Sequence, residues 1–276
     1  MTLPSVGVHI GTSGWSYDKD WRGIFYHGQS SMLEQYLSCF ETAEINSTFY
    51  ALPQPAFVRH LSTATKPDAF FTAKFPRSIT HDNRLDVKGE AGAVLEKFFS
   101  LLHPLVDRIA ALLVQLPPWD LAEMADLEAF LSSLSPDFRY AIEFRHKSWL
   151  QPSVMSLLED YHVAYVIVDE PLLPPDLIVT TDFAYVRWHG HGRRPWYDYL
   201  YSEDELKQWV PRLRELENEV GLVLGYFNNH FAGNAPLNAL QMLHLMGLAT
   251  PAQKSKLERM LRRGNSEQMT LDEHWD

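Results

Sequence analysis

The sequence has one cysteine, Cys39, among its 276 residues. That excludes an internal disulfide, and it leaves too few thiolates for a cysteine-bound zinc or an iron–sulfur cluster. Cys39 falls in the helical run 32–40 and reads as a small packed apolar residue. No apolar run approaches the ~20 residues of a membrane helix. The first residues, Met1-Thr2-Leu3-Pro4, lack the basic and apolar stretches of a secretory signal. A cytoplasmic protein without membrane association is therefore expected. Positive charge is scarce: 24 Lys and Arg stand against 35 Asp and Glu, for a net charge of −11. Such a chain has no general attraction for nucleic acid or anionic lipid, although a local basic pocket remains open to it. No G-x-G-x-x-G follows the first apolar run and no H-E-x-x-H occurs, which removes two common cofactor and metal signatures.

What is present is a large apolar fraction, 46%, in short runs that alternate with helical patterns. Eight runs read as strands: 8–13, 42–46, 70–75, 110–116, 140–145, 163–169, 184–189 and 222–228. Helices are expected at 30–40, 55–65, 90–103, 121–134, 152–161, 203–218 and 236–246. Ser202 before Glu203-Asp204-Glu205 reads as a capping box with an acidic first turn, and Asp120 and Asn234 as further caps. The crossover 170–180 is proline-rich and reads as lacking a full helix. Residues 252–263 read as an added helix and the last dozen as a frayed tail. Strands alternating with crossover helices imply a parallel sheet. Eight of them predict an α/β fold, a single (β/α)₈ TIM-type barrel. The expected unit is one domain over 1–276, with its core at about 8–247 and a C-terminal helix and tail at 248–276. An open doubly wound sheet is the competing architecture.

Side chains alternate across a strand, so parity separates barrel interior from helix-facing surface. Ala43 and Ile45 face helices, which leaves Thr42, Glu44 and Asn46 pointing inward. By the same reasoning Lys74, Glu143, Arg145, Arg187 and His189 point inward. On the sixth strand Val166 and Val168 are expected outside and Asp169 inside. All these ionisable residues lie at carboxyl ends, where barrel enzymes build their sites. Glu44, Lys74, Glu143, Asp169 and His189 are the candidate catalytic residues. Glu44 and Glu143 would be the acid–base pair, since paired carboxylates in different environments split their pKa values. His189 would shuttle a proton. Lys74, beside Glu44 on the next strand, reads as a charged partner rather than an imine-forming nucleophile. Ser13, Trp15, Tyr17, Asn46, Tyr50, Arg145, Arg187, Asn228 and Asn229 are the candidate substrate contacts, with one of the two asparagines reaching the pocket.

Donors also crowd the loops after strands seven and eight: Gly190, His191, Gly192, Arg193, Arg194, His230 and Gly233-Asn234. Barrels often bind phosphate there. An anionic ligand, phosphorylated or sugar-like, is the expected partner. Glu44, Glu143, Asp169 and His189 could also form an oxygen-rich metal site, but Lys74, Arg145 and Arg187 crowd the same space, so no metal or cofactor is expected. Two other functions compete. In one, Trp15, Tyr17 and Trp196 stack nucleic-acid bases, with weak, salt-sensitive binding. In the other, the barrel binds a small ligand without catalysis. The charges could also form a purely structural network. A functional pocket instead predicts Glu143 and His189 partly unpaired and solvent-facing, with Arg187 buried and structural, and the space at Gly190 left for a ligand.

Several segments in this order resemble one family. They are Gly11-Thr12-Ser13-Gly14-Trp15-Ser16-Tyr17, Glu44-Ile45-Asn46-Ser47-Thr48-Phe49-Tyr50, Lys74 with Ile79-Thr80-His81, and Gln115-Leu116-Pro117-Pro118. Glu143-Phe144-Arg145-His146-Lys147-Ser148-Trp149, Arg187-Trp188-His189-Gly190 and Tyr226-Phe227-Asn228-Asn229-His230 follow, with Tyr199, Tyr201-Ser202 and Asn238-Ala239 as further matches. Over about residues 8–247 the chain resembles the YecE-like family, domain of unknown function 72. The resemblance implies a TIM barrel and brings no established activity. Trp119 and the Arg193-Arg194 loop depart from its pattern.

Overall fold

The computed structural model describes residues 3–272 apart from 64, 125 and 194, and side chains up to residue 262. Its strands are β1 (Gly7–Thr12), β2 (Thr42–Ile45), β3 (Phe70–Lys74), β4 (Ile109–Gln115), β5 (Tyr140–Glu143), β6 (Val163–Asp169), β7 (Phe183–Trp188) and β8 (Leu222–Phe227). They form one parallel sheet in the order β1-β8-β7-β6-β5-β4-β3-β2. Each expected strand is present, and the sheet curls into a nearly closed (β/α)₈ barrel.

The seam lies between β1 and β2. There the sheet ladder is replaced by a bridge from Ser13 to Glu44 and by the Gly14 N–H donating to the Glu44 carbonyl at 2.9 Å. The Tyr36 hydroxyl fills the gap below. It accepts from the Thr12 N–H and donates to the Thr42 carbonyl, each at 2.9 Å, so backbone groups that no strand partner reaches stay satisfied. Gly11 permits this approach, because a Cβ at that position would stand 2.3 Å from the Thr42 carbonyl oxygen. Gly11→Ala should therefore destabilise the fold by about 1–3 kcal/mol, as overpacking does. Urea denaturation checks this, and an unchanged midpoint would refute the seam geometry.

Inside the barrel, small residues and large ones face each other. Ala111, Ala141 and Ala164 on β4–β6 make room for Tyr185 and Tyr226 from β7 and β8. The two phenols are not left unpaired: Tyr185 bonds Thr72 at 2.9 Å and Tyr226 bonds Thr42 at 2.8 Å. Val166 and Val168 belong to this interior cluster, whereas Tyr165 and Ile167 pack with the outer helices. The expected parity of β6 is thus inverted. Every residue of this strand is apolar up to Asp169 and buried, so nothing in its pattern distinguishes the two faces. A one-residue offset reverses every side chain: Asp169 points outward and Glu170 inward.

The helices are α1 (Asp18–Trp21), α2 (Met32–Leu37), α3 (Ser47–Tyr50), α4 (Pro55–Thr63), α5 (Glu90–Leu102), α6 (Leu127–Ser132), α7 (Pro152–Asp160), α8 (Glu203–Val220), α9 (Asn234–Leu245) and α10 (Pro251–Asp272). The Ser202–Glu205 capping box opens α8 as expected, and the β6–β7 crossover carries no helix. Three expectations are corrected. The run 121–134 splits into a 3₁₀ turn capped by Asp120 and a short α6 capped by Asp126. Asn234 is the first residue of α9 rather than its cap, a place taken by left-handed Gly233. And α10 continues to Asp272 where a frayed tail was expected. Among the described residues no helix is long and apolar enough to cross a membrane.

Candidate active site

An ion-pair network covers the top of the barrel, and Arg187 of β7 is its centre. Its guanidinium donates to Glu143 Oε2 at 2.5 Å, to Glu44 Oε1 at 2.7 Å and to Ser13 Oγ at 3.2 Å. Glu44 also accepts from the Ser13 hydroxyl at 2.8 Å and from the Tyr185 hydroxyl at 2.7 Å. Arg145, two residues beyond the end of β5, donates to the other oxygen of Glu143. It reaches Glu170 Oε2 at 2.5 Å and His189 Nε2 at 3.0 Å. His189 thus has a donor group beside each ring nitrogen, the Arg145 guanidinium at Nε2 and the Asn228 side-chain NH₂, 2.9 Å away, at Nδ1.

This saturation overturns one expectation and bears out another. Glu143 and His189 are neither unpaired nor solvent-facing: they are 0% and 2% exposed and held on every side. Arg187 is buried, as expected, and paired with Glu44 and Glu143. Burial pushes the Glu143 carboxyl up, but Arg145 and Arg187 outweigh it and hold the group well below the usual carboxylate range. Burial, aided by Arg145, pushes His189 down to about 3, so the imidazole is neutral. Burial raises Glu170 to about 7 despite Arg145, and among the described residues its Oε1 has no partner.

Above the network opens a cleft of about 1040 Å³ at the carboxyl ends of the strands. Lys74, Arg145, Arg187, His189, Gln115, Asn46 and Asn228 are among its polar lining. No carboxylate is among the described residues that line it. The cations face the cleft and the carboxylates that hold two of them lie behind. Lys74 is the exception, because it does not pair with Glu44. Its ammonium donates to Gln115 Oε1 at 2.6 Å and lies 3.9 Å from the centre of the Phe49 ring. Burial first, then the nearby Arg187, lowers its pKa to about 7. Aromatic rings form the walls. Tyr17 stacks on His230 at 4.4 Å, which stacks on Tyr197 at 5.4 Å. Opposite them, Trp15 stacks on Phe57 at 6.4 Å. Tyr50 stands on the rim, 82% exposed.

Other expected site residues lie elsewhere. Asp169 turns to α8 and the loop after β7, where its carboxylate takes the Trp209 indole N–H at 2.9 Å and His191 at 2.7 Å. Asn229 is fully buried and donates to the Tyr199 carbonyl and to Asn238. It is Asn228 that reaches the cleft. Ser13 and Glu44 sit beneath the cleft rather than in it. The loop after β7 is not free for a ligand either: Gly190 N–H donates to the Tyr201 hydroxyl, Gly192 N–H to the Trp196 carbonyl, and His191 is taken by Asp169. Gly190 has φ +91°, and a Cβ there would meet Tyr199 Cβ at 2.6 Å. Its room is filled by its own loop. Arg193 does not line the cleft, and Arg194 lies outside the described residues.

The sequence reading passed over Gln115 and Glu170. Gln115 shares the parity of Ala111 and Leu113, so a polar residue at a strand's carboxyl end was its signal, obscured by the double proline that follows. Glu170 was hidden by the inverted β6. Among the described residues no group of three or more His, Cys, Asp or Glu is arranged to hold a metal ion. The placement of Asp169 gives a direct test. Asp169→Ala should leave anion affinity in the cleft unchanged while destabilising the fold by about 1–3 kcal/mol, because a buried indole N–H loses its acceptor. A calorimetric titration showing a large affinity loss would return Asp169 to the site.

Comparison with known proteins matches the geometry to a family. The profile described as protein of unknown function DUF72 matches residues 9–262. The UPF0759 protein YunF of Bacillus subtilis is 28% identical over a 273-residue alignment, covering 87% of this chain and 95% of that one. The UPF0759 protein YecE of Escherichia coli is 35% identical over 141 residues, half of this chain and 48% of that one. A crystal structure of a DUF72 family protein from Thermotoga maritima superposes with a TM-score of 0.75 at 32% identity, over 87% of this chain and 99% of that one. One from Enterococcus faecalis, at 22% identity and a TM-score of 0.76 over 88% and 97%, bears on the fold alone. With its motifs, its barrel and this match over nearly the whole chain, the protein belongs to the DUF72 family.

Proposed function

We propose that the protein is an enzyme that takes an anionic small molecule, phosphorylated or sugar-like, into the cleft above its strands. The layering of charge carries this reading: Lys74, Arg145 and Arg187 face the cleft, and among the described residues no carboxylate lines it. Arg145 is the main anion contact, with its side chain 15% exposed and held in place by Glu143 and Glu170. A guanidinium fixed in this way is suited to carboxylate or phosphate oxygens. Glu44 and Glu143 then act as positioning groups rather than as the acid–base pair, since their oxygens are already occupied. The neutral His189 orients Arg145 rather than shuttling protons. Proton transfer falls to Lys74, which faces the cleft with its ionisation brought near neutrality, where acid–base groups work best. Such a group in a cleft favours an enzyme over a passive binder. The net charge of −11 disfavours a nucleic-acid partner.

Titration calorimetry with inorganic phosphate and simple sugar phosphates, at low salt, tests the reading. The expected result is saturable binding by the wild type, weakened by about 10- to 100-fold in Arg145→Ala, the loss of one or two charge-assisted hydrogen bonds. Circular dichroism verifies that the variant is folded. No binding to the wild type would overturn the proposal.

A further inference from the structure

The amine of Lys74 is placed unlike an ion-paired lysine. Among the described residues no carboxylate lies within ion-pair distance of it; Glu44 and Glu143 are taken up by the arginines. Its hydrogen-bond acceptor is the uncharged Gln115 carbonyl oxygen, and Gln115 is itself fixed by donating its NH₂ to the Leu116 carbonyl at 2.6 Å. The acceptor therefore aims the amine without holding its charge. Lys74 also ends β3 in the wall of the cleft, which it shares with Arg145 and Asn228. A charged lysine serving only to bind an anion would gain from a carboxylate partner, whereas a nucleophilic amine needs its lone pair free.

We propose that Lys74 forms an imine with a carbonyl carbon of the anionic substrate, an inference that rests on the anion-binding reading of the cleft. The neutral Nζ attacks the carbonyl carbon and gives a carbinolamine. Its hydroxyl is protonated from solvent and leaves as water, so one amine and one carbonyl yield one imine and one water. The protonated imine accepts the electron pair of an adjacent C–H or C–C bond as that bond breaks. This makes the substrate class an anionic aldehyde or ketone and the chemistry that of a lyase or isomerase. The lowered Lys74 pKa, about 7, keeps a large share of the amine neutral at neutral pH.

Pyridoxal 5′-phosphate, an aldehyde that carries a phosphate, serves as the probe. The full-length protein is treated with it below one equivalent, reduced with borohydride and mapped by mass spectrometry. The expected result is one adduct, on Lys74, suppressed by excess inorganic phosphate and at least about tenfold weaker with pyridoxal, which lacks the phosphate anchor. The labelling rate should rise with a midpoint near pH 7, not near the 10.5 of an ordinary lysine. Lys74→Arg should give no adduct while its circular dichroism matches the wild type. Labelling spread over exposed lysines such as Lys97 and Lys147, with phosphate still bound calorimetrically, would overturn the imine and leave the anion site standing. Absence of phosphate binding would overturn both.

Discussion

Arg187→Met is expected to lower the unfolding free energy by about 3–5 kcal/mol, the largest loss of any single replacement at the barrel top. Two buried carboxylates depend on this guanidinium. Glu44 and Glu143 are each 0% exposed and accept from it at 2.7 and 2.5 Å. Methionine fills similar volume but leaves Glu44 with only hydroxyl donors, Ser13 and Tyr185, and Glu143 with Arg145 alone among the strong cations. Burying unmatched charge is what makes the breaking of such a pair so unfavourable. In the intact protein the carboxylates, in turn, raise the ionisation of Arg187 despite its burial. Urea denaturation at neutral pH measures the effect. A loss under about 1 kcal/mol would mean that the carboxylates are hydrated or protonated rather than locked.

Lys74→Met should move stability in the opposite direction. The folded state lowers this amine to about 7 from 10.5, so the unfolded chain holds a proton that the native protein releases between those values. Stability of the wild type therefore rises with pH across that window, and below it the full penalty of the buried ammonium is present. Removing the amine should add about 2–3 kcal/mol at pH 7, discounted for the cleft's access to water, and add almost nothing at pH 10.5. Parallel urea titrations at both pH values measure the difference. The variant should also bind anions more weakly, a trade of function for stability that is common where a site holds strained or desolvated groups. A variant less stable than the wild type at pH 7 would contradict the placement of Lys74 in a cation-rich setting with an uncharged hydrogen-bond acceptor.

The barrel was legible in the sequence because its strands are short apolar runs separated by helical patterns, and because β2, β3, β5 and β7 carry polar residues on one parity and apolar ones on the other. That placed Glu44, Lys74, Glu143, Arg145, Arg187 and His189 correctly on the inward face. On β6 the signal vanished: Val163–Asp169 is buried on both faces, and the offset exchanged Glu170 for Asp169. Pairing was less legible than direction. Glu44 and Lys74 end neighbouring strands, yet Arg187 from across the barrel reaches Glu44, since its longer side chain can span the interior and bridge two carboxylates at once. The glycine and histidines after β7 looked like ligand donors, but the loop folds back on itself and uses its own N–H groups. Such tertiary closures leave no local pattern.

Crystals soaked with tungstate, a dense mimic of phosphate, test the central claim most directly. The anomalous signal should appear in the cleft, within hydrogen-bond reach of Arg145 and the Lys74 amine, and vanish from crystals of Arg145→Ala. Tungstate bound only outside the cleft, at Arg193 or His191 on the loop after β7, with the cleft empty, would contradict it.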